Sequence, residues 1–241
     1  MIFNGLDIMT FCGGGVSINK EIPPFSLGRT ITTIGGGGGH ILGHVENAPK
    51  TYTARINLHA SCMAEAWALK RTVAAWAMSC TTLADLIPTH DPAVRYRAVC
   101  QSVSDPEFKW GTCTVDVVFM IPDPHLLAVT PRVFGGDSNT VSWRNDGTAE
   151  PLLTVTFVGL ADLSYPTIML NTEAILTIND TVLKDVPVVV DFGQKTVKIN
   201  GAYAQNKINY MLTDWHPVFS VDNTLSVEAA TVTVEVIDRW L

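Results

Sequence analysis

Five consecutive glycines, Gly35 to Gly39, are the part of this sequence that most resembles a phosphate-binding loop. Such a loop lies between a strand and a helix whose amide groups point at the phosphate, and its Walker form ends in Gly-Lys followed by Ser or Thr. Here the run is followed by His40-Ile41-Leu42-Gly43, so the lysine, the hydroxyl and the helix are missing. We interpret the run as a loop and not as a nucleotide site.

Metal ligands also lack a complete pattern. His40 and His44 are the one histidine pair at helix-compatible spacing, but they lie in the glycine-rich segment, and residues 41–43 contain no acid such as the Glu of an H-E-x-x-H zinc site. The five cysteines are odd in number and form no C-x-x-C pair, which favours free thiols made in a reducing cytoplasm: Cys12, Cys62, Cys80, Cys100 and Cys113. The sequence therefore predicts neither a metal nor another cofactor.

Nucleophilic and acid–base signatures are incomplete as well. One S-x-x-K match, Ser17 to Lys20, follows a glycine loop instead of opening a helix, and no S-D-N, K-T-G or G-x-S-x-G accompanies it. Paired carboxylates for glycoside cleavage remain open, because they can come from distant strands. The candidates lie near turns or on strand faces: Asp85, Asp91, Asp105, Glu107, Asp116 and Asp123. We predict no catalytic residue, and a cell-wall hydrolase is the weakest alternative.

The composition restricts the possible partners. Of 241 residues, 47% are apolar and 16% are charged, and the formal net charge is −7. The few basic residues are scattered, which argues against specific nucleic-acid binding. The first ten residues lack the pattern of a signal peptide, and no apolar run approaches ~20 residues, so membrane insertion is not expected. So little charge also indicates that other subunits bury part of the surface.

Alternation of apolar and polar residues dominates the first half. It predicts a strand at Thr51 to His59 and another at Gly111 to Ile121, the second covered on both sides. Between them, the Ala-rich segment Met63 to Cys80 predicts one substantial helix, with Ser61 as a possible N-cap. Its apolar circumference indicates packing between a sheet and a neighbouring element, with Trp67 and Trp76 in the core.

The second half contains short candidate strands without an intervening helix. Tight turns such as Asn145-Asp146-Gly147 and Asn200-Gly201 separate them, which is typical of an antiparallel sandwich or barrel. The change of character places a domain boundary near residues 124–140. Trp110, Trp143 and Trp215 fall near turns, where core or interface packing is favoured over sugar binding.

The order and spacing of several segments span almost the whole chain. They are Phe3-Asn4-Gly5-Leu6, the strand at 51–59 and the helix, Arg95-Tyr96-Arg97-Ala98-Val99, the strand at 112–121 with Asp123-Pro124, Asn145-Asp146-Gly147-Thr148 before Pro151, Val190-Asp191 followed by Lys195 to Gly201, Asn223 to Val227, and Val232-Thr233-Val234 to Arg239-Trp240-Leu241. In this arrangement the sequence resembles the distal tail protein family of long-tailed, non-contractile phages and prophages. The run of five glycines is longer than the family pattern.

The resemblance implies a mainly β protein of two domains. Residues 1–130 would form an α+β, tail-tube-like domain with one main helix, which assembles into a ring, usually a hexamer. Residues 135–241 would form an antiparallel β-sandwich, similar to galectins or carbohydrate modules, on the outside of the ring. Segment 29–44 is a candidate hairpin that adds strands to a neighbouring subunit.

The same resemblance implies a structural function in the virion tail. The ring would join the tail tube to the tail tip or baseplate and would dock a fibre or tail-associated lysin protein. The expected partners are therefore other copies of the chain, the tube protein and the tip protein. The chain itself would be made in the host bacterial cytoplasm. The alternative is a carbohydrate-binding module or adhesin that recognises the host through the C-terminal sandwich.

Overall fold

The computed structural model describes residues 1–13, 15–22, 28–33, 40–46, 50–217 and 219–240, and only the backbone of 22, 28–33, 40–46 and 212. Two compact units divide the chain, Met1–Leu126 and Leu127–Leu241. Each unit has its own cluster of buried apolar side chains. The predicted glycine loop, Gly35 to Gly39, lies outside the described residues.

The N-terminal unit combines one long helix with an antiparallel sheet. Its elements are β1 (Ile2–Phe3), β2 (Leu6–Asp7), α1 (Ile8–Phe11), β3 (Val16–Ile22), β4 (Gly28–Thr33), β5 (His40–Glu46), β6 (Lys50–His59), α2 (Met63–Ala77), β7 (Ala84–Ile87), β8 (Val94–Val103), β9 (Glu107–Lys109) and β10 (Thr112–Ile121). A short strand, β11 (Leu126–Ala128), follows at the boundary of the two units.

The sheet of this unit centres on β6 and β10, which pair antiparallel along their whole length, with Ile56 opposite Val115. Strand β3 pairs with the other side of β6, and β8 and β9 pair with the other side of β10. Strands β7, β1 and β2 continue the sheet beyond β8. The predicted alternation is present, because the even-numbered residues from Tyr52 to Leu58 are buried.

Helix α2 packs one face on this sheet. Ala66, Val73, Trp76 and Ala77 are buried in the same core as Tyr52 to Leu58. The sequence predicted that α2 packs between the sheet and a neighbouring element, with Trp67 in the core. This prediction was wrong for the single chain, because Trp67 is 41% exposed. The N-cap prediction was also wrong by one residue, since Cys62 occupies the cap without a side-chain hydrogen bond, while the Glu65 carboxylate accepts from Ser61 N (2.7 Å) and Ser61 Oγ (2.6 Å).

The second face of β10 likewise lacks cover in the single chain. Thr112 and Met120 are exposed, and Asp116 and Val118 are only half-buried, whereas Val117 and Phe119 on the opposite face are fully buried. Helix α2 covers one side of the sheet. The described residues of this unit include no second helix of comparable length that could cover the other side. The expectation of two-sided burial is therefore not met here.

The C-terminal unit is built of strands and two single-turn 3₁₀ helices. Its elements are β12 (Arg132–Gly135), β13 (Thr140–Arg144), β14 (Ala149–Gly159), β15 (Leu163–Ser164), β16 (Thr167–Leu170), β17 (Glu173–Thr177), β18 (Thr181–Val182), β19 (Pro187–Asp191), β20 (Thr196–Ile199), β21 (Ala202–Tyr203), the 3₁₀ turns Gln205–Lys207 and Tyr210–Leu212, β22 (Asp222–Val227) and β23 (Ala230–Trp240).

Two antiparallel sheets form a sandwich in this unit. One has the order β12-β23-β14-β19-β20-β21 and the other β13-β22-β16-β17. Their inner faces share one core, to which β14 contributes Phe157, β23 contributes Val234 and β22 contributes Leu225, all fully buried. The antiparallel sandwich predicted from the turn-punctuated strands is thereby confirmed. Trp143 lies inside β13 and is buried, while Trp215 packs edge-on against Phe192.

A carboxylate links the end of β3 to the loop after β7. Glu21 accepts hydrogen bonds from Thr89 N (3.0 Å), His90 N (3.4 Å) and the His90 ring. Its side chain is only 8% exposed. Burial alone would raise the pKa of Glu21, but the hydrogen bonds from His90 and Thr89 outweigh it and lower that pKa.

Replacement of Glu21 by glutamine should reduce both stability and its dependence on pH. A carboxyl whose pKa is lowered by folding stabilises the protein above the ordinary glutamate pKa of about 4.3, and this contribution disappears as the pH falls through the lower pKa of the folded state. We expect E21Q to cost about 1–2 kcal/mol at pH 7. Urea unfolding at several pH values should show that difference shrinking in acid, and E107Q, at an exposed carboxylate on β9, should show none.

Candidate interaction surfaces

Five of the six acidic residues considered for catalysis make structural contacts. Arg55 binds Asp116 through two hydrogen bonds of 2.8 Å, and these lower the pKa of Asp116. Asp85 accepts from Arg95 at 2.8 Å and from Arg97 at 2.9 Å. Of the remaining candidates, Asp105 binds Lys70, Asp91 accepts from Ala93 N, and Asp123 binds His125, whereas Glu107 is exposed on β9. These contacts give five of the six carboxylates a structural role.

The other chemical candidates are dispersed. Ser17 and Lys20 lie on strand β3, with a register shift between them, and not on a helix. The side chains of His40 and His44 lie outside the described residues. All five cysteines are free, and burial raises the pKa of the Cys113 thiol. Among the residues described, no group of three or more His, Cys, Asp or Glu side chains is arranged to hold a metal ion.

An apolar stripe lies on the outer face of α2. Met63 is 49% exposed and Trp67, one turn later, is 41% exposed, with the Lys70 ammonium 4.9 Å from the Trp67 ring. We call Met63 and Trp67 the α2 stripe. A methionine and a tryptophan side by side on a helix surface are typical of a protein contact.

A second exposed tryptophan occupies the tip of the hairpin between β9 and β10. Trp110 is 91% exposed. Trp110 and Gly111 form the two-residue turn, with φ angles of 52° and 77°, the geometry of a tight type I′ hairpin. The turn thus holds an indole in solvent on a short two-stranded support, a position from which it can anchor a partner.

Backbone groups are also available for pairing at the edge of the N-terminal sheet. Strand β3 pairs with β6 along one side, and no strand among the described residues pairs with its other side. Strands β4 and β5 form the predicted hairpin, with Thr33 opposite His40. Free edges of this kind accept strands from another chain.

Comparison with known proteins identifies the C-terminal unit. Residues 146–240 match the family model of the siphovirus-type tail component, C-terminal domain. This unit is a siphovirus-type tail component domain. No curated protein sequence matches the chain. The resemblance to phage tail proteins that the sequence predicts is thereby confirmed, and the chain is a component of a phage tail.

Solved structures extend the likeness to the whole chain. The Dit protein of phage SPP1, described as a hub of the adsorption apparatus in phages that infect Gram-positive bacteria, superposes with a TM-score of 0.81 at 12% identity, covering 100% of this chain and 98% of that one. Two structures of the phage P2 baseplate in its activated conformation, with Ca and with Sr, both give TM-scores of 0.54, at 9% and 10% identity and with 91% of the P2 chain covered. The two matches cover 94% and 93% of this chain.

The structure decides which of the tryptophans named from the sequence are exposed. The exposure of Trp67 follows from which side of α2 meets the sheet, which no local pattern shows, whereas Trp110, which the sequence already placed near a turn, is exposed at the turn of residues 110–111. No helix among the described residues is long and apolar enough to span a membrane.

Proposed function

We propose that this tail component forms a closed ring of identical copies, expected to be six, that joins the tail tube to the tail tip or baseplate. The observation that carries the proposal is the agreement of both units, over the full length, with a protein described as a hub of an adsorption apparatus. In this arrangement the N-terminal domain, residues 1–130, builds the ring, and the sandwich, residues 135–241, lies outside it. The role is mechanical and requires no catalytic residue or cofactor.

The exposed surfaces of the N-terminal unit support ring formation. The α2 stripe and Trp110 expose large apolar side chains, and the outer face of β10 is only partly covered. Only 16% of the residues are charged, which is too few to keep such an apolar surface well solvated. A closed ring buries the same patches on every copy and leaves no open end.

The neighbours of the ring follow from the same arrangement. One rim would contact the tube protein, and the other would dock a fibre or a tail-associated lysin protein. The backbone N–H and C=O groups at the free edge of β3 and in the hairpin of β4 and β5 would pair with an adjacent subunit.

Substitution of Trp67 by glutamate should weaken ring formation without unfolding the subunit. A carboxylate at the centre of an apolar contact typically costs 2 kcal/mol or more, so the association constant should fall at least about thirtyfold. Light scattering and native mass spectrometry over about a hundredfold range of concentration should show the wild type at multiples of 26.2 kDa and W67E shifted to the monomer. L183E replaces a side chain that is 60% exposed in the C-terminal unit and should leave the ring intact.

Two results would contradict the proposal at different levels. An unchanged ring in W67E would remove the α2 stripe from the interface. A protein that is monomeric at every concentration and is also present as a single copy in cryo-EM images of the tail would exclude the ring itself.

A further inference from the structure

An open groove of about 480 Å³ lies in the C-terminal unit. Its floor crosses the outer face of three neighbouring strands, where Thr140 of β13 is opposite Ser226 of β22, and Ser226 is opposite Met169 of β16. The loop from β14 to β16, residues 162–167, forms one wall, and Glu228 and Ala229 close the end.

Hydroxyl groups and carboxylates dominate this groove. Thr140, Ser226 and Thr167 line the groove, and the Thr167 Oγ1 lies 3.0 Å from the Thr177 Oγ1. Asp162 and Glu228 are exposed at its rim. Asp162 accepts a hydrogen bond from Lys184 N at 2.8 Å, which orients that carboxylate, whereas Glu228 has no hydrogen-bond partner among the described residues.

A single aromatic ring, that of Tyr165, is exposed along the wall. Its side chain is 63% exposed, and its backbone has a φ of 52°, a left-handed conformation that is uncommon for an aromatic residue. Two hydrogen bonds hold this backbone, from Tyr165 N to Asp180 O (3.2 Å) and from Thr167 Oγ1 to Tyr165 O (3.4 Å). Strain that is retained by surrounding contacts is a common mark of a binding site.

We propose that this groove binds a neutral saccharide. The exposed face of Tyr165 suits the apolar face of a sugar ring, and the carboxylates of Asp162 and Glu228 accept hydrogen bonds from sugar hydroxyls. No Lys or Arg lines the groove, and the chain carries a net charge of −7, so an anionic polymer has no counter-charge there. The inference does not depend on ring assembly, because every lining residue belongs to the C-terminal unit.

The test uses the full-length protein and defined oligosaccharides. Saturation-transfer NMR and titration calorimetry with chitohexaose, cellohexaose, maltohexaose and lactose should detect binding of at least one, while poly(glycerol phosphate), an anionic wall polymer, should not bind. Y165A removes the ring on which a sugar would stack and should weaken binding by about tenfold, whereas Y165F should retain binding. E228Q should weaken it by a smaller factor.

The control is Y210A, since Tyr210 is also 63% exposed but lies outside the groove. Circular dichroism must show that each variant is folded. The proposal is overturned if none of the neutral saccharides binds, if Y165A binds as well as the wild type, or if poly(glycerol phosphate) binds with equal affinity. Protection of residues 162–167 from hydrogen exchange in assembled tails without saccharide would assign the groove to a protein contact and would also overturn it. The masses of W67E and the wild type report on the ring independently.

Discussion

Replacement of Trp76 by alanine should lower the free energy of unfolding of the N-terminal unit by about 3–5 kcal/mol. The side chain is fully buried, its ring lies edge-on against Phe3 and Phe119 at centroid distances of 6.0 Å, and its indole N–H donates to Leu6 O at 2.9 Å. The substitution leaves a cavity beneath α2 and removes the bond that ties β2 to the helix. Denaturant unfolding followed by circular dichroism measures the loss.

Trp67 provides the matched control on the same helix. It is 41% exposed, and the Lys70 ammonium lies 4.9 Å from its ring, so W67A should change the free energy of unfolding of the monomer by less than about 1 kcal/mol. W76F keeps most of the ring packing but loses the indole donor, and an intermediate cost of about 1–2 kcal/mol is expected. Equal losses for W76A and W67A would show that the helix does not pack as described.

The second large effect is expected in the sandwich, at a buried carboxylate. Asp238 of β23 is only 4% exposed. It accepts from the Arg132 guanidinium at 2.6 Å and from Asp146 N at 3.4 Å. The same guanidinium donates to Asp146 Oδ2 (2.7 Å) and to Arg144 O (2.8 Å), so Arg132 joins the first strand of the unit to the last strand and to the loop after β13.

Asp238→Ala should therefore destabilise the C-terminal unit by about 3 kcal/mol, near the lower end of the range for breaking a buried ion pair, because Arg132 retains some access to water. D146A removes a carboxylate that is 56% exposed and should cost less than about 1 kcal/mol. The double variant R132M/D238L should recover part of the loss, since neither charge is then buried alone. A D238A protein with the wild-type denaturation midpoint would contradict this account.

Local patterns identified the main elements closely. The alternation from Thr51 to His59 corresponds to β6, which begins one residue earlier, and the Ala-rich segment from Met63 corresponds to α2, which ends at Ala77 instead of Cys80. Turn residues such as Asn200-Gly201 separated the strands of the sandwich, because left-handed backbone conformations favour those residue types. The spacing of apolar residues indicates that one face of an element is buried. That spacing depends mainly on residues that are close together in the sequence.

By itself the sequence determined the strand-rich character, the single long helix and the turn-punctuated second half, since these depend on residue types at short spacing. Only the tertiary structure decided which tryptophan of α2 is buried, that Glu21 meets His90, and that Arg132 meets Asp238 across 106 positions. The groove beside Tyr165 likewise combines strands and loops from distant segments. Such contacts depend on strand register and on the side of a sheet against which a helix packs, and a one-residue shift in register would place different side chains together while leaving the local pattern the same.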